Sequence, residues 1–397
     1  IGLLESSRRT ALDGTLAPHV VGFTNSNGLG MEALEMRLNK VLGGSDGVRV
    51  AEFDNGSSLS RVHKPIPWTV QVDKPVEDGK DVVLTIDSRI QRRTQQILGD
   101  TCQTYKAESG SAVVLDPRSG EIVAMASWPT FNVNAFGDVS KEARRNRAVA
   151  ETFEPGSTLK AVTVAAALES GVVNPARHFY CTGALKIGKN TIHCASHNGS
   201  SAHGDESVLD VIRTSCNVAT AQCAFLLQKP RLYEYMNRFG LTSRTGSGLP
   251  GEQQGLLSKP STWSQVKLAN VGFGQGIAVT PLQLAGAFSV FGDGVWRQPH
   301  IVKGYKKPES DKLVTPDKRS ERRVVSPETA RQMRNMLSAV IERGTGRKAR
   351  LDGYTAGGKT GTAQVAEHGR YGGKFVSRFG GMAPLSDPQL VVFVAIR

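Results

Sequence analysis

The run Glu154-Pro155-Gly156-Ser157-Thr158-Leu159-Lys160 leads into an apolar segment, Ala161 to Leu168, and this segment constrains the fold more than any other. Ala and Leu favour helix, Pro155-Gly156 turns the chain into the helix start, and Gly171 suits its C-terminal cap. A helix that is apolar on every face must be surrounded by other elements, so it has to run through a large core. A chain of 397 residues can build such a core and suggests two or so domains.

The polar residues at the mouth of this helix carry chemistry. Positions i and i+3 share a helix face, which sets Lys160 beside Ser157. The helix N-terminus adds positive potential near the serine oxygen. Burial strips the lysine of hydration, lowers its pKa and makes the neutral amine a usable base. Ser157 therefore reads as the nucleophile of an acyl-transfer enzyme. The spacing recurs at Ser264-Gln265-Val266-Lys267, but no Pro-Gly precedes that copy and no long apolar helix follows it, so it reads as chance.

Composition narrows the partners. Lys plus Arg number 49 against 36 Asp plus Glu, a formal charge of +13, which suits an anionic surface such as acidic lipid or acidic wall polymer. The basic residues are dispersed and no basic stripe alternates with aromatics, which argues against nucleic acid. No apolar run is long enough to cross a membrane. The chain opens at Ile1 without a signal-like segment, so the expectation is a processed or trimmed piece, from which an anchor could have been removed.

Cys102, Cys216 and Cys223 read as buried thiols. Cys181 and Cys194 flank a stretch with hairpin character, and His178, His193, His197 and His203 lie nearby. Three readings are open: a disulfide in an oxidising compartment, a zinc site whose spacing fits no standard pattern, or two buried small residues among exposed histidines.

Residues 1–82 read as a smaller N-terminal module and 83–397 as the main domain. The module has a short amphipathic helix within 28–38 and β-like pieces at Val48 to Phe53 and Trp68 to Val72, with a turn at Asp54-Asn55-Gly56-Ser57-Ser58. Val82 to Ile86 reads as a strand, and Asp87 caps the helix that follows. Residues 111–115 and 121–126 form a β-hairpin, 171–350 is mainly helix and loop, and strands return at 359–365, 375–382 and 389–396. The simplest arrangement is α+β: one antiparallel sheet built from both ends of the domain, with helices on its faces.

Two further motifs accompany Ser157. Ser-x-Asn occurs at Ser196-His197-Asn198, in a Gly/Ser/His-rich loop, and at Ser215-Cys216-Asn217, between two helical stretches that can hold it rigidly; the second is preferred. Gly357-Gly358-Lys359-Thr360-Gly361-Thr362-Ala363 offers small residues and a fixed cation on a strand. Alternation puts Lys359 and Gly361 on one face and Thr360 and Thr362 on the other. Gly353 to Thr360 also matches a phosphate-binding loop pattern, but neither the preceding strand nor the following helix that such a loop needs is present.

In this chain order the three motifs resemble those of class B penicillin-binding proteins, the monofunctional peptidoglycan D,D-transpeptidases. The resemblance extends to His19 to Phe23, Gly28 to Glu35, Arg145 to Ala148 and the glycine-rich segment Gly272 to Gln283. It implies a five-stranded antiparallel sheet flanked by helices, a helical lobe and an N-terminal pedestal. It implies catalytic roles for Ser157, Lys160, Ser215, Asn217 and Lys359. Ser157 would attack a D-alanyl-D-alanine stem peptide, Lys160 would accept its proton, and Ser215 would relay the proton to the leaving amine. Asn217 would hold the peptide amide and help orient Lys160, Lys359 with Thr360 or Thr362 would bind the terminal carboxylate, and Gly361 would let the substrate backbone lie against the strand. The backbone N–H groups of Ser157 and Thr362 would form the oxyanion site.

No cofactor or metal is implied. Implied partners are stem peptides, β-lactams, a glycosyltransferase and other division or elongation proteins, at the extracytoplasmic face of the bacterial inner membrane through an N-terminal anchor. A D,D-carboxypeptidase, a β-lactamase and a non-catalytic β-lactam sensor or scaffold are the alternatives. No carboxylate motif for a deacylating water is evident, and the N-terminal module disfavours a β-lactamase.

Overall fold

The structure, a computed structural model, describes residues 9–53, 66–195, 201–316, 318–367 and 370–397. The turn expected at Asp54-Asn55-Gly56-Ser57-Ser58 and the first Ser-x-Asn, Ser196-His197-Asn198, lie outside them. The chain divides into two compact units that are discontinuous in sequence. The smaller comprises Ile1–Ala11, Val21–Leu84 and Val302–Asp317, and the larger Leu12–Val20, Thr85–Ile301 and Lys318–Arg397. A single boundary after residue 82 does not describe this exchange. The segment from Val302 belongs to the smaller unit because Val302–Lys306 pairs antiparallel with Asp81–Leu84, a contact between distant residues that no local pattern announces. Leu12–Val20 belongs to the larger unit, where His19 Nε2 donates to Ala143 O (3.0 Å) and the ring packs edge-on against Phe131.

Within the smaller unit, the helix expected in 28–38 is the short Ala33–Arg37, followed by Asn39–Leu42. Strands Val48–Val50 and Gln71–Lys74 pair antiparallel.

The larger unit is built from helix α1 (Ser88–Thr104), strands β1 (Gly110–Leu115) and β2 (Ile122–Trp128), helix α2 (Lys160–Glu169), strands β3 (His178–Cys181), β4 (Ala184–Ile187), β5 (Asn190–His193) and β6 (Gly204–Ser207), helices α3 (Val208–Arg213), α4 (Asn217–Arg238), α5 (Gln265–Gly272), α6 (Pro281–Asp293) and α7 (Pro327–Arg343), and strands β7 (Gly357–Glu367), β8 (Arg370–Ala383) and β9 (Leu390–Ile396). One five-stranded sheet has the order β7-β8-β9-β1-β2, every neighbour antiparallel. Both ends of the domain thus build a single sheet, as the strand pattern requires. The middle of the chain is less purely helical than expected: β3 pairs with β6, and β4 with β5 as the hairpin between Cys181 and Cys194.

Alternation along the central strands decides which helix lies on which face. Ala112 and Ala126 pack with Leu98 and Cys102 of α1, joined by Val394. Val113 pairs with Phe393, and the Phe393 ring lies 6.3 Å from Phe288 of α6. Both faces of β1 are therefore covered, and all six of its residues are buried. Helix α2 is enclosed on all sides, with Ala161 to Leu168 buried, as an all-apolar helix must be. Each of Val162, Val164 and Leu159 contributes about 1.5–3 kcal/mol by leaving water.

The helix starts are chemically specified. Asp87 accepts from the N–H groups of Arg89 and Ile90, and Thr280 forms a reciprocal capping box with Gln283 behind Pro281. The outer edge of β2 is closed by α1. Gln91, fully buried, donates through Nε2 to Met125 O (2.8 Å) and accepts through Oε1 from Met125 N (2.7 Å). A glutamine side chain here replaces the next strand, which disposes of an open sheet edge.

Gln91→Ala leaves one buried N–H and one buried carbonyl unmet. It should cost about 2–4 kcal/mol in denaturant unfolding. A loss within the error of the measurement would show that Gln91 does not close the edge.

Candidate active site

Ser157 lies on a 3-10 turn, Gly156–Leu159, and regular α-helix begins only at Lys160. The turn is clamped from behind by the glycine-rich segment. Gly156 N donates to Gly274 O (2.9 Å), Gly276 N donates to Glu154 Oε1 (2.7 Å), and Thr163 Oγ1 donates to Gly272 O (2.6 Å). Phe153 and Val279 exchange two backbone hydrogen bonds. Gly274 has φ +94°, and a Cβ there would stand 2.0 Å from Gly156 O, so the position admits glycine alone. These residues were legible only through family resemblance; the close approach supplies their physical reason.

The second wall is the junction between α3 and α4. Ser215 occupies the left-handed region at φ +64°, uncommon for a residue with a side chain. Cys216 then caps α4 through its sulfur, which accepts from Ala219 N. This backbone turn points the Ser215 carbonyl and hydroxyl at Lys160, whose Nζ donates to Ser215 O and to Ser215 Oγ (3.1 Å).

The third wall is β7. Lys359 Nζ donates to the same Ser215 Oγ (2.9 Å) and to Thr360 O (3.0 Å). Gly361 lets the strand press on the serine turn, since a Cβ there would lie 2.9 Å from Thr158 Cγ2. Burial alternates along the strand as expected: Lys359 and Gly361 are buried, Thr360 is half-buried and Thr362 is exposed. The Thr360 hydroxyl meets that of Thr345 at 3.0 Å.

The fold thus gathers Lys160, Ser215 and Lys359 around one hydroxyl, beside the turn that carries Ser157. Asn217 is placed differently from expectation. Its Nδ2 donates to His193 O (2.7 Å) on the β4–β5 hairpin, and the group holding Lys160 is Ser215. Ser264, of the other Ser-x-x-Lys copy, caps α5, and Lys267 donates to Gly276 O. The phosphate-loop match is not borne out, because the residues from Gly357 onward form strand and not helix.

Electrostatics favour a base. Lys160 and Lys359 are both essentially inaccessible to water. Desolvation lowers Lys160 to about 8, partly offset by Cys216, Cys194 and Glu206. Lys359 falls well below the usual lysine range, through desolvation and then through the neighbouring Lys160. A hydroxyl offers two acceptor lone pairs and one hydrogen, so Ser215 Oγ can join the two amines and pass a proton between groups in the site.

Known proteins resemble this chain in sequence and fold. Residues 110–397 match the family described as the penicillin binding protein transpeptidase domain. Stage V sporulation protein D of Bacillus subtilis is 35% identical over 99% of this chain and 60% of its own length. The peptidoglycan D,D-transpeptidase FtsI of Escherichia coli is 34% identical over 100% of this chain and 64% of its own. The crystal structure of penicillin binding protein 3 from Mycobacterium tuberculosis, complexed with aztreonam, superposes with a TM-score of 0.86 at 33% identity, covering 98% of this chain and 83% of that one. The chain belongs to the penicillin-binding protein transpeptidase family. It spans less than two thirds of the length of the curated relatives it matches.

Two outcomes follow from the geometry. Gly274→Ala must displace Gly156 and with it Ser157, and a misplacement of about 1 Å can cost a hundredfold. Acylation by fluorescent penicillin should therefore slow by at least about tenfold with little change in far-UV circular dichroism. An unchanged rate would show that the turn does not depend on that contact. The second outcome concerns pH. The neutral form of Lys160 grows as pH rises through about 8, so the acylation rate should rise about tenfold from pH 7 to 9. A flat or falling profile in stopped-flow labelling would exclude Lys160 as the base.

Proposed function

We propose that this chain is a serine acyltransferase that cross-links peptidoglycan stem peptides and is acylated by β-lactams. The observation that carries the reading is the meeting of two buried amines, Lys160 and Lys359, on the Ser215 hydroxyl, next to the clamped turn bearing Ser157. A buried amine lowered to about 8 can take a hydroxyl proton at neutral pH, and a structural ion pair would need no such arrangement.

In the proposed reaction, Lys160 takes the proton of Ser157 Oγ as the oxygen attacks the carbonyl between the two terminal D-alanines. The backbone N–H groups of Ser157 and Thr362 receive the developing oxyanion. The proton passes through Ser215 to the leaving D-alanine amine, the C–N bond breaks, and an ester to Ser157 remains. An amine from a second stem then attacks the ester, giving its proton back through the same groups and freeing Ser157. Lys359 with Thr360 and Thr362 binds the terminal carboxylate, and Gly361 admits the peptide backbone against β7. Asn217 holds the substrate amide. A β-lactam enters by the same attack and leaves a slowly hydrolysed ester. Such a substrate places the enzyme at the extracytoplasmic face of the inner membrane, in a division or elongation complex with a glycosyltransferase. The chain's excess of basic residues suits an acidic wall polymer there.

Ser157→Ala should abolish the penicilloyl adduct in intact-mass spectrometry, and Lys160→Ala should slow its formation by at least about a hundredfold. With a D-alanyl-D-alanine peptide and an acceptor amine, the unaltered chain should release D-alanine and form the cross-linked product. Hydrolysis alone would identify a carboxypeptidase, and adduct turnover within seconds a β-lactamase; either result would overturn the transpeptidase reading. An adduct that persists on Ser157→Ala would move the nucleophile elsewhere.

A further inference from the structure

Cys216, the middle residue of Ser215-Cys216-Asn217, belongs to a second cluster behind the serine site. Its Sγ lies 3.6 Å from Cys194 Sγ, which lies 3.6 Å from Cys181 Sγ, which lies 3.5 Å from His203 Nδ1. All four ligand atoms lie within 4.8 Å of one another. They come from four places: the end of β3, the exit of the β4–β5 hairpin, the segment before β6, and the cap of α4. The three cysteines are buried, and His203 is half-buried.

We propose that Cys181, Cys194, Cys216 and His203 bind one structural zinc ion, which fixes Ser215 and Asn217 in the adjoining site. The distances carry the argument. Around a tetrahedral zinc, with bonds of about 2.3 Å to sulfur and about 2.0–2.1 Å to nitrogen, two sulfurs stand about 3.8 Å apart and a sulfur and nitrogen about 3.6 Å apart. Three of the six separations, at 3.6, 3.6 and 3.5 Å, match that cage, and all six lie within 4.8 Å. A disulfide needs about 2.05 Å between sulfurs and uses only two of the four donors.

The surroundings suit thiolates. Cys181 Sγ accepts from Gly183 N (3.4 Å), Cys194 Sγ from Asn217 N (3.3 Å) and Val218 N (3.5 Å), and Cys216 Sγ from Ala219 N (3.3 Å). Backbone N–H groups aimed at sulfur orient metal ligands and stabilise their charge. Glu206, 2% exposed, adds a buried carboxylate whose Oε2 lies 3.9 Å from His203 Nδ1.

The consequence for the serine site is mechanical. Asn217 is tied to the hairpin twice, through Nδ2 to His193 O and through its N–H to Cys194 Sγ. Zinc would lock that hairpin to the start of α4, and so hold the left-handed Ser215 against both lysines.

Metal counting tests the site independently of the proposed reaction, while the acylation arm alone rests on that reading. The chain, purified under reducing conditions and equilibrated with Zn(II), should hold one zinc by plasma mass spectrometry after desalting. Co(II) in its place should give the visible spectrum of a tetrahedral, thiolate-rich site. Cys181→Ser, Cys194→Ser and His203→Ala should each weaken zinc retention by at least about tenfold against a competing chelator. His203→Cys, which keeps four donors, should retain the ion, and so separates loss of a ligand from loss of the fold. Stripping the ion should slow penicillin acylation by at least about tenfold, and returning Zn(II) should restore it. Three free thiols with no metal after reconstitution, or a Cys181–Cys194 disulfide in non-reducing peptide mapping, would overturn the site. So would zinc that survives the ligand substitutions, or iron in its place. Acylation that ignores removal of the ion would overturn the positioning role.

Discussion

Everything in the larger unit serves the burial of two amines around one hydroxyl. A lysine withdrawn from water keeps its charge only at a cost of several kcal/mol, and two of them a few ångströms apart cannot both keep it. Lys160 and Lys359 meet on Ser215 Oγ and are both buried, so at least one is driven toward the neutral amine. The fold provides the means: α2 is sunk in a fully apolar surround, β7 closes one side, and the α3–α4 junction supplies the acceptors. The stability forgone at these two residues is returned by the core around them. A proton-accepting amine in a protein interior is the product.

Small residues let the three walls approach. Gly274 admits the glycine-rich segment to within a hydrogen bond of Gly156, and Gly361 lets β7 lie on Thr158. A methyl group at either position would collide with backbone or with the side chain that carries the turn. Ser215 carries the opposite burden: it keeps a side chain in a backbone conformation that normally discourages one. Strain of that kind persists where the neighbours over-determine it. Ser215 has such neighbours, two lysines on one side and the capped start of α4 on the other.

What could be read from the sequence divides along the same lines. Local rules sufficed where the geometry is local: the apolar helix, the Asp87 cap, and the hairpin that became β1 and β2. The pairing of both chain ends into one sheet followed from counting strands and asking how their edges close. The order of three polar motifs selected Ser157 over Ser264, and the structure gives Ser264 a plain capping duty. Long-range geometry was not legible. Nothing local marks Val302–Lys306 as a partner of Asp81–Leu84, or sends the Asn217 amide to His193 O. The thiol cluster was legible only in part: Cys181, Cys194 and the nearby histidines raised a zinc site, but Cys216 read as a buried thiol. The four residues sit on separate segments, so their spacing along the chain resembles no metal motif although they gather in space.

Three consecutive residues therefore face three different tasks, and this makes the α3–α4 junction the least replaceable stretch of the molecule. Ser215 addresses the lysines, Cys216 enters the thiol cluster, and Asn217 grips the hairpin. Because the peptide units between them are stiff, the position of any one limits the other two. A displacement at Cys216 must appear at Ser215 Oγ, where a few tenths of an ångström separate a shared hydrogen bond from a broken one. The proton path proposed for the serine site is thus built on a contact whose sulfur lies outside that path. The rigidity behind the chemistry comes from this junction as much as from the sheet.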